Sequence, residues 1–337
     1  MSKLAALFTK MGMMAFIISM CVALPVALLP QALMYKMGWI SRIRLNQLAL
    51  SSGQFCARWL LRLIPFCHVT TKQVAFESSS DKEEETPEPS IWVCNHTSAL
   101  DIFILLAKDK ALRGGSRQKR PIKIVYVKNP VTKLLFRQCG FIPVQMTANA
   151  AGEANNYDMK SFRNLLKMTK EAFNEGFDIG ILPEGQLNPH PEEGLLPCFP
   201  GAYTLAKMSK RPIQMMALHG THRLWHARED IGMTVTGREI GLQRYRHPTS
   251  DDDKNNIGGG RKYTSPDEFL ATFNAVVGQY ATTGEDLNDA ELKAWLDGSK
   301  WEKMQREEKE EKERLEKEEA IKKEADAQAV TSTESSE

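Results

Sequence analysis

Residues 91–107 read IWVCNHTSALDIFILLA. Ile91–Cys94 is a short apolar, β-branched run of the kind that forms a buried strand. From Asp101 onward, IFILLA has helical character. Between the two lies a polar turn carrying Asn95, His96 and, beyond four intervening residues, Asp101. A strand-to-helix turn can bring an imidazole and a carboxylate together in a partly dry pocket. The carboxylate then takes the N–H of one ring nitrogen, which leaves the other as a base and offsets the charge of the imidazolium. No serine or cysteine stands between the pair as an evident nucleophile. The dyad therefore suits direct attack by a substrate hydroxyl on an activated acyl carbon. Alone, a histidine and an aspartate separated by four residues are a weak pattern, and a histidine at a strand end is ordinarily structural.

Outward from this stretch, β-type runs alternate with helical patterns from about His68 to Tyr280. Strands are expected at 68–76, 122–127, 141–144, 177–182, 212–218 and 232–237. A short helix is expected over 130–139. An amphipathic helix is expected over 159–175, with Phe162, Leu165, Leu166, Thr169 and Phe173 on one side. Ser265, Pro266 and Glu268 form a helix start, with a cap, a proline at the first position and an acid at the third, and open a helix to about Tyr280. Residues 77–90 are a polar Ser/Glu/Pro-rich loop, and DDDKNNIGGG at 251–260 is a flexible excursion. The alternation predicts an α/β fold with a central sheet flanked by helices.

Two further stretches carry possible chemistry. ILPEGQLNP at 181–189 runs a buried strand into Pro183-Glu184-Gly185, where glycine permits close backbone approach and N–H groups can face an anion. VKNPVTKLLFRQCGFIPVQ at 127–145 places Lys128, Lys133 and Arg137 before a Gly-Phe-Ile-Pro strand entry. Lys133 and Arg137 fall on one helix face. Each stretch has an ordinary reading as well, a strand-to-loop turn and a solvated helix face.

The N-terminal end is different in kind. Residues 12–34 are uncharged and long enough, at about 1.5 Å per residue, to cross a hydrocarbon core of about 30 Å. Pro25 and Pro30 would kink such a helix, which allows a re-entrant hairpin instead; a cleavable signal peptide is the alternative. Over 44–64, Leu45, Leu48, Phe55, Trp59 and Leu63 recur on one face. Arg44, Gln47, Ser51, Gln54, Arg58 and Arg62 recur on another, as in an interfacial amphipathic helix. No Asp or Glu precedes Glu77, whereas eight Lys or Arg do. That bias favours an anionic lipid surface, with the remainder of the chain on the cytosolic side. Three regions result: a membrane anchor at 1–66, a catalytic domain at 67–285 and a charged helical or disordered tail at 286–337.

Over the 337 residues, 44 Lys+Arg against 42 Asp+Glu leave a net charge of +2, too little for nucleic acid to be held by bulk charge. Six scattered cysteines with no C-x-x-C pair give no support to a zinc ribbon or thioredoxin site, and fit reduced thiols facing the cytosol. Residues 300–326 hold nine Lys or Arg and eleven Asp or Glu, without an apolar heptad seam. A solvated helix laced by i,i+4 pairs, fading into a disordered Ser/Thr tail, is expected there.

In this order and spacing the stretches resemble the PlsC-type glycerolipid acyltransferases, the lysophosphatidate acyltransferase superfamily. His96 and Asp101 match its first motif and residues 128–144 its second block. Pro183-Glu184-Gly185 matches the third, and Arg211-Pro212-Ile213 the fourth. Phe199-Pro200-Gly201-Ala202 is similar to the segment between the last two. The resemblance spans about residues 40–280. It implies His96 as the base and Asp101 as its holder. It also implies substrate contacts from Asn95, Lys128, Arg137, Glu184, Gly185 and Gln186, with backbone N–H groups stabilising the oxyanion. No metal or cofactor is implied; acyl-CoA or an acyl-carrier protein is the co-substrate, and a lysophospholipid, foremost 1-acylglycerol 3-phosphate, is the acceptor. A two-helix lipid anchor and a membrane site are implied too, by default the endoplasmic reticulum with the catalytic domain in the cytosol, with plastid or mitochondrial membranes as alternatives. The chain departs from the family at 186–187, where Gln186-Leu187 replaces the usual Thr/Ser-Arg and removes a phosphate contact. The Glu-Gly-x-hydrophobic-Asn pattern resembles the tafazzin branch, which moves acyl chains between phospholipids. A remodelling acyltransferase or transacylase is thus the second reading, and an inactive membrane scaffold using the charged tail the third.

Overall fold

The computed structural model describes residues 3–64, 67–76, 89–112, 122–127, 139–144, 146–148, 154–157, 159–225, 239–247, 256–257 and 260–334. Two N-terminal helices, α1 (Lys3–Lys36) and α2 (Arg42–Leu60), precede strand β1 (His68–Val74). Then come β2 (Ile91–Val93), α3 (Asp101–Leu112), β3 (Ile122–Val127) and β4 (Ile142–Val144). A small antiparallel hairpin, β5 (Met146–Ala148) and β6 (Ala154–Tyr157), leads to α4 (Met159–Asn174) and β7 (Asp178–Ile181). After α5 (Gly201–Ser209) come β8 (Ile213–His219), β9 (Glu239–Tyr245), and the two-residue strands β10 (Asn256–Ile257) and β11 (Gly260–Arg261). The chain ends in α6 (Pro266–Phe273), α7 (Gln279–Thr283), α8 (Asp289–Asp297) and α9 (Ser299–Glu334).

The central sheet has the order β1-β9-β8-β2-β7-β3-β4. The run from β8 to β4 is parallel; β9 joins β8 antiparallel, and β1 pairs with β9 in parallel, so the sheet is mixed. Every residue of β2, β7 and β8 is buried, as expected for parallel strands covered on both faces. Gly180 lets β3 lie close: a Cβ there would meet Ile122 Cγ2 at 3.0 Å. Ser265 caps α6 as expected, its Oγ accepting the Glu268 N–H at 3.0 Å. A π-turn at Asn274–Gly278 joins α6 to α7, so this helical run reaches Thr283.

Several expectations are corrected. Pro25 and Pro30 do not break α1, which is one helix of 34 residues. Beside Pro30, Gln31 Nε2 donates to Ala27 O (3.1 Å) and to Ser52 Oγ of α2 (2.6 Å). Nor is α1 bare: Met13, Phe16, Met20, Leu24 and Leu28 form a buried stripe, and Phe16 meets Phe103 of α3 edge-on at 5.5 Å. The face of α2 that packs inward is neither of the two read from the sequence but a third, made of Asn46, Ala49, Leu50, Gly53, Cys56 and Ala57. The packed domain does not stop at 285, because Leu292, Trp295 and Leu296 bury α8 against it. The tail begins only after Gly298, whose φ of +87° turns the chain into α9. That helix is exposed and carries pairs such as Lys303–Glu307 and Arg314–Glu318, and it continues to Glu334 rather than fading early. Strands β5, β6 and β9 and helix α5 were not expected. The expected strand at 232–237, the helix at 130–139 and nearly all of the 77–90 loop lie outside the described residues, as does most of the excursion at 251–260.

Candidate active site

The site forms where β2 ends and α3 begins. His96 Nδ1 lies 3.0 Å from Asp101 Oδ2. The same oxygen accepts the Thr97 N–H at 2.8 Å and the Ser98 N–H at 2.9 Å. A carboxylate at the first residue of a helix also meets the positive end of the helix dipole. Asp101 is fully buried while the His96 side chain keeps 16% of its surface open. An ionised carboxylate can only accept, so Nδ1 carries the proton and Nε2 holds the lone pair. The geometry thus yields an oriented base at the mouth of the fold.

The groups around it are committed to holding it. Thr97 Oγ1 pairs with Thr221 Oγ1 at 2.7 Å, and Ser98 Oγ donates to Trp225 O at 2.8 Å. Cys94 is fully buried; burial, with the charges of Asp101 and Glu184, pushes its thiol well above the ordinary range, away from thiolate nucleophilicity.

Two residues expected to touch substrate do something else. Asn95 is wholly buried; its Nδ2 donates to Leu218 O (2.8 Å) and its Oδ1 accepts the Leu218 N–H (2.7 Å). Both ends of its amide thus tie β2 to β8. Glu184, also buried, accepts the His96 N–H on Oε1 (2.5 Å) and the Leu196 N–H on Oε2 (3.0 Å). It is a strut between two loops. Burial raises its carboxyl to about 7, against the pull of those two N–H groups. Gly185 sits at φ +70°, where glycine is favoured, but its N–H goes to Leu182 O at 3.0 Å instead of facing an anion. Gln186 and Leu187 are half-buried on the following loop. Lys128, Lys133 and Arg137 lie outside the described residues.

Asn188, the last residue of the Glu-Gly-x-hydrophobic-Asn pattern, completes the clamp. Asn188 N–H donates to His96 O at 2.8 Å, so the 183–188 loop grips both the N–H and the carbonyl of the histidine. Its own side chain donates to Gly194 O (2.7 Å) and accepts from the His190 N–H (2.9 Å). Below the site, between α2, α3 and the sheet, lies a narrow apolar crevice of about 20 Å³. Trp92, Cys94, Leu105, Ile124, Leu182 and Met216 line it. Gln54 and Asp109, joined at 3.2 Å, are its polar lining residues. Among the described residues, His190, Glu192 and Glu193 group with metal-ligand spacing, but all three are exposed.

Residues 77–219 match the model of the family described as Acyltransferase. No curated protein matches the chain. A similar solved structure is the crystal structure of the 1-acyl-sn-glycerophosphate (LPA) acyltransferase PlsC from Thermotoga maritima. The likeness has a TM-score of 0.54 at 15% identity and covers 83% of this chain and 97% of that one. The two share a fold, and the match to the Acyltransferase family covers residues 77–219 of this chain.

Proposed function

We propose that the protein is a membrane-bound glycerolipid O-acyltransferase that moves a fatty acyl chain from acyl-CoA to the free hydroxyl of 1-acylglycerol 3-phosphate, giving phosphatidic acid. The carrying observation is the His96–Asp101 pair, its shared oxygen held by two backbone N–H groups. His96 Nε2 takes the hydroxyl proton as the oxygen attacks the thioester carbon. The tetrahedral oxyanion collapses, the C–S bond breaks, and the imidazolium returns the proton to the leaving thiolate. Direct transfer suits the site because the neighbouring hydroxyls and thiol are bonded or buried.

The acceptor is taken from the 1-acyl-sn-glycerophosphate acyltransferase that shares the fold, and one observation favours a second acceptor. Leu187 carries no charge where the family has an arginine, so a zwitterionic lysophospholipid, in a remodelling or transacylase reaction, needs fewer cations than a phosphomonoester. Kinetics of the purified protein with acyl-CoA and a panel of lysolipids decide the matter. Preference for lysophosphatidate supports the first reading. Preference for lysophosphatidylcholine, or transfer from a phospholipid donor, supports the second, and no transfer to any acceptor overturns both.

Membrane attachment rests on the α1–α2 hairpin. α1 is apolar enough over Leu7–Lys36 to cross a bilayer. Its Met13–Leu28 stripe is nevertheless packed, and only its other side, with Leu7, Met11, Ile18, Val22, Val26 and Leu33, is exposed. A helix lined by its own domain along one side fits insertion of the hairpin into one leaflet better than a lone span.

A further inference from the structure

A second cleft opens on the far end of α3. Arg58 and Arg62 come to it from α2 and the turn after it, and Lys108 and Lys110 come from α3. Its floor is apolar, made by Leu61, Cys67, Val69, Ala107 and Ala111. The open space, counting solvent at the mouth, is about 1320 Å³. Lys108 is seven residues beyond Asp101, about 10 Å along the helix axis at 1.5 Å per residue, so the cleft is separate from the His96 site. Among the described residues, ion pairs lie elsewhere: Lys72–Asp286, Lys123–Glu175, Arg261–Glu268 and those along α9. Four cations therefore line one cleft, and none of its lining residues is acidic. Beside them the surface turns apolar. Phe55, Trp59 and Leu63 are exposed, and the Arg62 guanidinium stacks over Trp59 at 4.2 Å from the ring centroid.

We propose that this cleft is a headgroup site for an anionic phospholipid of the bilayer, whose phosphate is held by Arg58, Arg62, Lys108 and Lys110 while Phe55, Trp59 and Leu63 enter the interface. Charge complementarity identifies the ligand as an anion. Continuity with the exposed aromatic and aliphatic residues identifies its source as lipid, since the same surface meets headgroup and acyl boundary together. The basic face of α2 alone would give diffuse attraction. Adding two lysines from α3 closes a walled site, which makes selectivity for anionic lipid depend on a helix outside the anchor.

The test is flotation of the full chain with vesicles of pure phosphatidylcholine and of phosphatidylcholine containing phosphatidic acid or phosphatidylserine. Wild type should prefer the anionic vesicles by about tenfold or more. Lys108→Gln/Lys110→Gln should lose most of that preference while binding neutral vesicles as before. Lys300→Gln/Lys303→Gln, which removes the same charge from α9, should keep it. Equal loss in both double variants would reduce the effect to net charge and overturn the site, as would an unchanged preference in the first. If the first variant instead raised KM for acyl-CoA and left flotation unchanged, the cleft would hold a soluble phosphate and the lipid assignment would fall. Flotation needs no turnover, and binding to neutral vesicles reads the hairpin alone, so failure here leaves the transferase and anchor readings standing.

Discussion

One oxygen, Asp101 Oδ2, fixes the ring of His96 and the turn that carries it. Asp101→Asn can keep an oxygen in place but not the charge that offsets an imidazolium, so kcat should fall by about 10²-fold or more, up to the loss in a His96 variant. Undiminished turnover in that variant would remove the role. Glu184 offers a pH test. Burial lifts its carboxyl from the ordinary 4.5 to about 7. A carboxyl raised on folding keeps its proton longer in the folded than in the unfolded chain. Its stabilising contribution is therefore full below about pH 4.5 and lost as pH rises through about 7, an effect on the order of 1 to 3 kcal/mol. Thermal unfolding of wild type should therefore decline from pH 5 to 8 relative to Glu184→Gln, which cannot ionise; parallel curves would contradict the raised value. The pair His96–Asp101 was legible because both members sit on one turn. Asn95 and Glu184 were legible as important but not in what they do. Their partners, Leu218 and Leu196, are brought to them by strand register and loop closure that a local pattern does not carry.

At the level of elements, buried strands and the amphipathic α4 could be read because their periodicity is simple. β9 could not, since Gln243 and Arg244 are polar yet buried, Arg244 lying 4.8 Å from the centroid of the Trp92 ring. α8 was assigned to the tail because the charged run after it dominated its composition, although Leu292, Trp295 and Leu296 have core spacing. The two terminal elements differ in what they support. Phe55 and Trp59 lie 6.1 Å apart on the outside of α2 and are exposed. Replacing both by serine should weaken vesicle binding about tenfold or more with little change in Tm; a large fall in Tm would show that they pack in the fold. α9 beyond Glu308 is exposed along its described length. Removing residues 309–337 should leave kcat within about twofold, because surface helix pairs contribute only a few tenths of a kcal/mol each and bury nothing. A large loss would revive the scaffold reading.

For the whole molecule, the sheet, the α3 turn and the α1–α2 hairpin place the His96–Asp101 pair, an apolar crevice and an exposed apolar helix face on one body. A hairpin in one leaflet puts the start of α1 and the end of α9 on the same side of a membrane. Cysteine labels near Leu4 and near Glu334 should both react from outside sealed vesicles, and protection of the first alone would mean that α1 spans. The α/β class and the motif order could be read along the chain. The extent of the packed domain and the burial of one side of α1 required the fold, because each depends on which face a neighbour covers. The central claim is that His96 is the base of a direct acyl transfer. Its most direct measurement is kcat for transfer from acyl-CoA to a lysophospholipid by His96→Ala, with Tm recorded on the same preparation. The expected result is a loss of about 10²-fold or more at unchanged Tm; turnover equal to wild type would contradict the account.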